Sequence, residues 1–288
     1  MKNRISDKKP YSSGSAVFLC SLCRNNDLTS RRERFNMGGR GSGSGRSGGG
    51  SGRQTGPIRL DTMNDAQLSS FVQQAFGGQL PPGFHDDPTQ RLIYAAGWNG
   101  TPEVVTAAQA EAMARKRGAV ALYRTVNDDI GPGRSGKTSS QILDELRTDT
   151  TFSTGGWGGQ VYGGGVYFSD KMSGSKQYGR RGSNPKTMGA VLNDKAKVVS
   201  ASDLSGSLGA SWVRSHPQAA SRLGCSLTAS GGVRATAGAR TAMAMAMGYN
   251  VVKNNAYGRE HYYTILDRSA LTTSTKDYYP QSKGMKGR

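Results

Sequence analysis

Apolar positions along this chain fall into short clusters set between glycine- and serine-rich stretches, and their spacing predicts helices mixed with short strands. Leu68, Phe71, Val72 and Ala75 recur at helical spacing behind Asn64, a good capping residue, and the run stops at Gly77-Gly78. Pro81-Pro82-Gly83 breaks the chain, and a second helix is expected over residues 90–96. After a turn at Trp98-Asn99-Gly100, Thr106 caps a helix over 107–116 that Gly118 ends. Residues 119–126 read as a strand, with Val120, Leu122, Thr125 and Val126 around Tyr123 and Arg124.

Further along, Ser139 or Ser140 opens a helix through Ile142, Leu143 and Leu146, and a glycine-dense loop over 155–165 leads into a strand. Residues 173–178 form a short helix, 188–199 one or two strands, and Trp212 and His216 lie in another helix. Residues 241–247 alternate Ala and Met, neither of them β-branched, so they favour helix over strand. Residues 249–252 and 262–266 are the last expected strands. Separate helices and short strands in this order specify an α+β fold rather than a doubly wound sheet.

Composition sets the limits of that fold. Forty-one glycines in 288 residues and a mean hydropathy of −0.58 leave too little apolar material for a core along the whole chain. The net charge of +18 is concentrated: residues 1–60 hold twelve Lys or Arg against three Asp or Glu, a net of +9. Residues 37–56 are almost entirely Gly, Ser and Arg, a composition that cannot offset ordering entropy, so residues 1–60 are expected as a disordered basic arm. Such an arm suits nucleic acid or another acidic surface. Met37 offers a second start that would leave 1–36 untranslated. Residues 61–100 then read as a helical lead-in, 101–275 as the main domain and 276–288 as a basic tail. Three cysteines make no disulfide framework, and Cys20-Ser21-Leu22-Cys23 lacks the second pair of a zinc site, which implies reduced thiols in a cytosolic setting. The apolar run over 16–23 is a poor secretion signal, and no stretch reaches membrane-spanning length.

The chemistry concentrates in Tyr162-Gly163-Gly164-Gly165-Val166-Tyr167-Phe168-Ser169-Asp170, followed by Ser173, Ser175 and Tyr178. Glycines there let backbone approach a ligand, while Tyr167 and Tyr178 offer flat faces for stacking and Ser169 a hydroxyl for an amide or phosphate. Arg124 is an always-charged group inside an expected buried strand, where it would meet an anion. Glu260, ahead of His261-Tyr262-Tyr263-Thr264-Ile265-Leu266-Asp267, supplies a carboxylate that could hold a ribose hydroxyl and stabilise an oxocarbenium-like centre.

In this order the pieces resemble the ADP-ribosyltransferase superfamily, above all the branch with the poly(ADP-ribose) polymerases and related phage domains. The likeness covers residues 90–275, its central motif being the specific part. It implies a split pair of small β-sheets with flanking helices, clasping NAD as substrate with nicotinamide as leaving group. Arg124 would fill the family's first-strand Arg or His position, Tyr167 and Ser169 would stand beside nicotinamide with Gly165 in the same wall, and Tyr178 would be the second stacking ring. The catalytic Glu belongs within the family's last motif strand, where Tyr262 or Tyr263 stands if Asp267 fixes the register. Glu260 lies at least two residues early, with the strand parity of Tyr262. The expected activity is transfer of ADP-ribose to a protein or nucleic acid, by a phage- or mobile-element protein that is cytoplasmic in its host or virion-associated. A catalytically degenerate accessory protein, using its arm on nucleic acid or capsid, is the alternative.

Gly131-Pro132-Gly133-Arg134-Ser135-Gly136-Lys137-Thr138 matches the P-loop pattern letter for letter. Asn127-Asp128-Asp129 intervenes between it and the preceding strand, however, placing carboxylates beside the phosphate position, and repeated βα units are lacking. A basic loop capping the following helix is the preferred reading, with ATP or GTP hydrolysis as the lesser alternative. Ser153-Thr154 superficially imitates the toxin-type Ser-Thr-Ser motif, and His85 and His216 lack spaced metal-binding partners.

Overall fold

The computed structural model describes residues 57–80, 86–132, 134–149, 162–180, 182–255 and 260–275. The expected arm up to residue 56, the Cys20/Cys23 pair, His85, Ser153-Thr154 and the basic tail all lie outside them. The arm boundary moves inward, because Leu60 is buried and Ile58 packs beside it.

Several helices start at side-chain caps. Asn64 accepts from the Gln67 backbone while the Gln67 side chain accepts from the Asn64 backbone, and this reciprocal box opens α1 (Asp65–Gly77). Asp87 caps α2 (Pro88–Ala96) through the amides of Thr89 and Gln90, with Pro88 at the first position. Residues after the Trp98 turn form β1 (Glu103–Val105), which the sequence reading missed. Thr106 with Gln109 boxes α3 (Ala107–Ala114), and Ala121–Val126 form β2. Thr138 with Gln141 boxes α4 (Ser139–Thr148). The glycine-rich motif delivers β3 (Val166–Ser169) and α5 (Met172–Gly179), followed by β4 (Lys186–Leu192) and β5 (Val198–Ser200). Three helices come next: α6 (Ala201–Ser205), α7 (Ser207–Ser215) and α8 (Pro217–Leu223). His216 is not inside a helix as expected, since Pro217 restarts the chain and leaves it at the α7–α8 junction. A small ribbon of β6 (Ser226–Leu227) and β7 (Val233–Arg234) precedes α9 (Ala237–Ala246). The chain closes with β8 (Val251–Asn255), β9 (His261–Ile265) and β10 (Leu271–Ser274).

The fold is α+β, built on a mixed eight-stranded sheet of order β1-β10-β4-β2-β3-β9-β8-β5. Instead of the expected two separate small sheets there is one sheet with a narrow joint. β4 pairs with β2 through six residue pairs and β3 with β9 through four, whereas β2 and β3 meet only at Tyr123↔Ser169. Two four-stranded halves are therefore stitched together at a single position.

Strand alternation sends side chains to two cores. Leu122, Val126, Val166, Phe168, Met188, Tyr263 and Ile265 pack with Leu143 and Leu146 of α4 on one face. Val252 and Leu266 join Leu68, Val72, Leu92, Leu204, Met243 and Met245 from the helices in the other core. Burial of each such large side chain contributes about 1.5–3 kcal/mol. The lead-in helices belong to this second group: Asp65 of α1 accepts from the amides of Gln218 and Ala219 at 3.2 and 2.9 Å, capping α8. β10 was not expected as a strand because three of its four residues are polar, yet all four are buried. Thr273 satisfies its hydroxyl on the Gly189 carbonyl (3.0 Å) and Thr272 on Glu103 (3.0 Å).

Candidate functional site

The end of β3 and the start of β9 lie side by side in register, Ser169 opposite Tyr262. Pairing continues one residue beyond the ladder through Asp170 and His261. The Asp170 amide donates to the His261 carbonyl (3.1 Å), the His261 amide to Asp170 Oδ1 (3.0 Å), and His261 Nδ1 lies 2.9 Å from Asp170 Oδ2. This clamp fixes the next residue out, Glu260, beside Ser169. Ser169 Oγ donates to Glu260 Oε1 at 2.6 Å, the short length of a hydroxyl on a carboxylate, and accepts from the Lys171 amide at 3.0 Å. Glu260 Oε2 accepts no hydrogen bond among the described residues.

Space for the carboxylate comes from Gly174. A Cβ built there would lie 1.2 Å from Glu260 Oε1, so the carboxylate rests on bare backbone in the first turn of α5. The same helix is held to the sheet by a hydroxyl chain, Ser175 to Thr125 (2.9 Å) and Thr125 to Thr187 (2.8 Å).

Four tyrosines adjoin this pair. Tyr178 meets Tyr262 edge-on with ring centroids 5.8 Å apart, Tyr262 stacks on Tyr162 at 5.7 Å, and Tyr162 meets Tyr167 edge-on at 6.0 Å. Tyr178 is 56% exposed, leaving one ring of the chain open to solvent. Burial, and then a hydrogen bond with Tyr178, raise the Tyr262 phenol well above its ordinary range. Burial pushes Tyr167 up to about 12, and its hydroxyl is turned inward to donate to the Gly163 carbonyl.

Arg124 sits at the narrow joint. Its Nη1 donates to the Tyr167 carbonyl at 2.9 Å, bridging the two half-sheets, while its buried Nε has no partner. Burial pulls its pKa down to about 10, which still leaves the guanidinium charged at neutral pH. No carboxylate pairs with it among the described residues. A half-buried cation with an idle, buried Nε is a candidate for an anionic or carbonyl ligand.

Of the residues expected from sequence, Ser169, Glu260 and Tyr178 come together around Tyr262, and Arg124 joins them through the Tyr167 backbone. The triple glycine also has a packing job. Added Cβ atoms would strike Thr241 Oγ1 and the Ala237 carbonyl at Gly163, Asp87 and Thr89 at Gly164, and Thr264 and the Ile265 carbonyl at Gly165. With φ of 89° and 137° at Gly163 and Gly165, the run packs closely on α9, α2 and β9, Gly165 against Thr264 and the Ile265 carbonyl. Tyr262, Tyr162, Gly174 and the Asp170–His261 clamp were not picked out as site residues. Tyr162 and Asp170 stand at the two ends of the glycine motif, and Tyr262 shares the strand parity of Glu260, but nothing in the sequence marked Gly174 or the pairing of Asp170 with His261.

The P-loop-like segment is occupied by its own side chains. Asp128 takes the Ser139 amide at 2.6 Å and Thr138 the Gln141 amide at 3.3 Å, so donors at the α4 N-terminus are engaged. Lys137 pairs with Glu145 at 2.8 Å, and Asp129 holds Ser135. His216 stacks on Trp212 with centroids 5.1 Å apart, a packing role. Among the described residues no cluster of His, Cys, Asp and Glu could hold a metal, and no helix is long and apolar enough to cross a membrane. A surface groove of about 280 Å³ lined by Pro57, Asp61, Trp98, Lys197 and Asp267 shares no residue with the Ser169–Glu260 cluster. Comparisons with protein-family models, curated proteins and solved structures found no match.

Proposed function

We propose that this chain binds NAD and transfers its ADP-ribose to an acceptor. The carrying observation is the 2.6 Å contact between Ser169 and Glu260, groups 91 residues apart in sequence that the fold delivers to one point. Cleavage of the nicotinamide–ribose bond develops positive charge at C1′ and its ring oxygen, and a carboxylate fixed in advance stabilises that charge without reorganising. Ser169 and Gly174 provide the fixing. The open ring of Tyr178, set against Tyr262, offers a planar face to nicotinamide, and Arg124 supplies a charged donor to the carbonyl or phosphate side of the ligand. The sheet's two halves, joined at Tyr123↔Ser169, support likeness to the split sheet of ADP-ribosyltransferases. Calorimetry with NAD tests the binding step: the wild type should bind, and Tyr178→Ala should weaken binding about tenfold by loss of stacking, on the order of 1.4 kcal/mol. Absence of heat with the wild type would end the proposal.

A further inference from the structure

We propose that the acceptor is single-stranded nucleic acid, docked on the outer face of α5; the acceptor role rests on the transferase reading above. α5 shows two different faces. Gly174 is buried against Glu260, and Ser175 and Gly179 against Thr125 of β2, whereas Ser173, Lys176, Gln177 and Tyr178 are exposed, as is Arg180 one residue beyond. Lys176 and Arg180 are four residues apart and Arg180 keeps helical backbone angles, so both lie along one side of the helix. α5 contains no acidic residue, and neither cation has an ion-pair partner among the described residues. Several cations elsewhere on the fold are neutralised, Arg91 by Asp86, Arg115 by Glu111, Lys137 by Glu145 and Arg147 by Asp144, so what distinguishes Lys176 and Arg180 is their place beside an open aromatic ring next to the Ser169–Glu260 pair.

Between these two cations in sequence stands Tyr178, 56% exposed and edge-on to Tyr262, whose strand begins next to Glu260. Unpaired cations beside an open aromatic ring suit a single strand, with phosphates on the charges and an unstacked base on the face of Tyr178 opposite the one offered to nicotinamide. A duplex would keep its bases stacked and away from the reacting carbon. An acidic protein would use the charges but not the ring. The net +9 over residues 1–60 adds long-range attraction for the same polyanion.

In the transfer the C1′–nitrogen bond of NAD breaks with its electron pair going to the pyridine nitrogen, so nicotinamide leaves neutral. A nucleophilic nitrogen or oxygen of the docked nucleotide forms the new bond to C1′. The proton it carried passes to Glu260 Oε2, the oxygen that Ser169 leaves free, and from there to water.

The test uses the full chain, adenine-labelled NAD and mixed-sequence single-stranded DNA and RNA oligonucleotides, comparing wild type with Lys176→Glu/Arg180→Glu. The wild type should label an oligonucleotide, and the double variant should lose at least tenfold of that labelling. Removal of two phosphate contacts should lower the slope of log affinity against log salt by about 1.4. Nicotinamide release from NAD alone should be unchanged. If that release falls with the labelling, the cations serve the diphosphate of NAD and the acceptor assignment is overturned. Equal labelling and equal salt slope in the two proteins would also overturn it. A wild type that binds the oligonucleotide through these cations but releases no nicotinamide would instead sink the transferase reading, so the two failures are distinct.

Discussion

Glu260 lies against the bare Cα of Gly174, at a spot where any side chain would overlap its Oε1. The carboxylate reaches Ser169 only because that helical position has no Cβ. Ala is the better helix former by about 1 kcal/mol, so propensity alone favours Gly174→Ala. The clash decides otherwise: Gly174→Ala should expel Glu260 and cut nicotinamide release at least tenfold with helix content retained by circular dichroism. Unchanged release would show that Glu260 does not act from this position.

Arg268 is a structural counterpart to the idle Arg124. It donates to the Glu145 and Leu146 carbonyls at 3.3 and 2.7 Å and also to the Asp149 carbonyl, closing the C-terminus of α4 from a buried position. Arg268→Ala should destabilise the fold by about 2–3 kcal/mol, read as a lower urea midpoint at unchanged slope. Arg268→Lys should recover only part, because a single ammonium does not span the same carbonyls.

Four tyrosines should make the protein sensitive to alkali. Burial pushes Tyr167 and Tyr263 up to about 12 and raises Tyr123 and Tyr262 as well. An unfolded tyrosine ionises near about 10. Between these values the folded chain retains protons that the unfolded chain releases, so stability fully present below about pH 10 is lost as pH rises toward 12. The urea midpoint should fall across that window, and Tyr263→Phe should remove part of the fall. A flat midpoint would contradict the burial of these phenols.

Lys137 pairs with Glu145 of α4 at 2.8 Å. Lys137→Ala should cost no more than about 1 kcal/mol, as for a partly exposed pair, and should leave nicotinamide release unchanged. Lys137-dependent release of phosphate from ATP would revive the P-loop reading.

Local signals in the sequence carried far. Asn64, Thr106 and the strand around Arg124 announced their elements because capping and alternation act over a few residues. β10 was missed because its buried threonines satisfy themselves on partners such as Gly189, 84 residues away. The glycine motif marked the right strand but not its packing role, since its glycines are required by Thr241, Asp87 and Thr264, which a linear reading cannot place beside them. Glu260 read as at least two residues early because Asp267, taken as the register mark, puts Tyr262 or Tyr263 at the family's carboxylate position, and it does lie one residue ahead of β9, with Tyr262 opposite Ser169. The Asp170–His261 clamp extends the pairing and gives Glu260 a defined position next to Ser169.

Nicotinamide release from NAD, measured for the full-length wild type and for Glu260→Gln, is the most direct test. Release by the wild type that falls at least a hundredfold in Glu260→Gln, while calorimetric NAD binding is retained, is the expected result, since Gln keeps the shape but not the charge. Equal release by the two proteins, or none by the wild type, would contradict a transferase site built on Ser169 and Glu260.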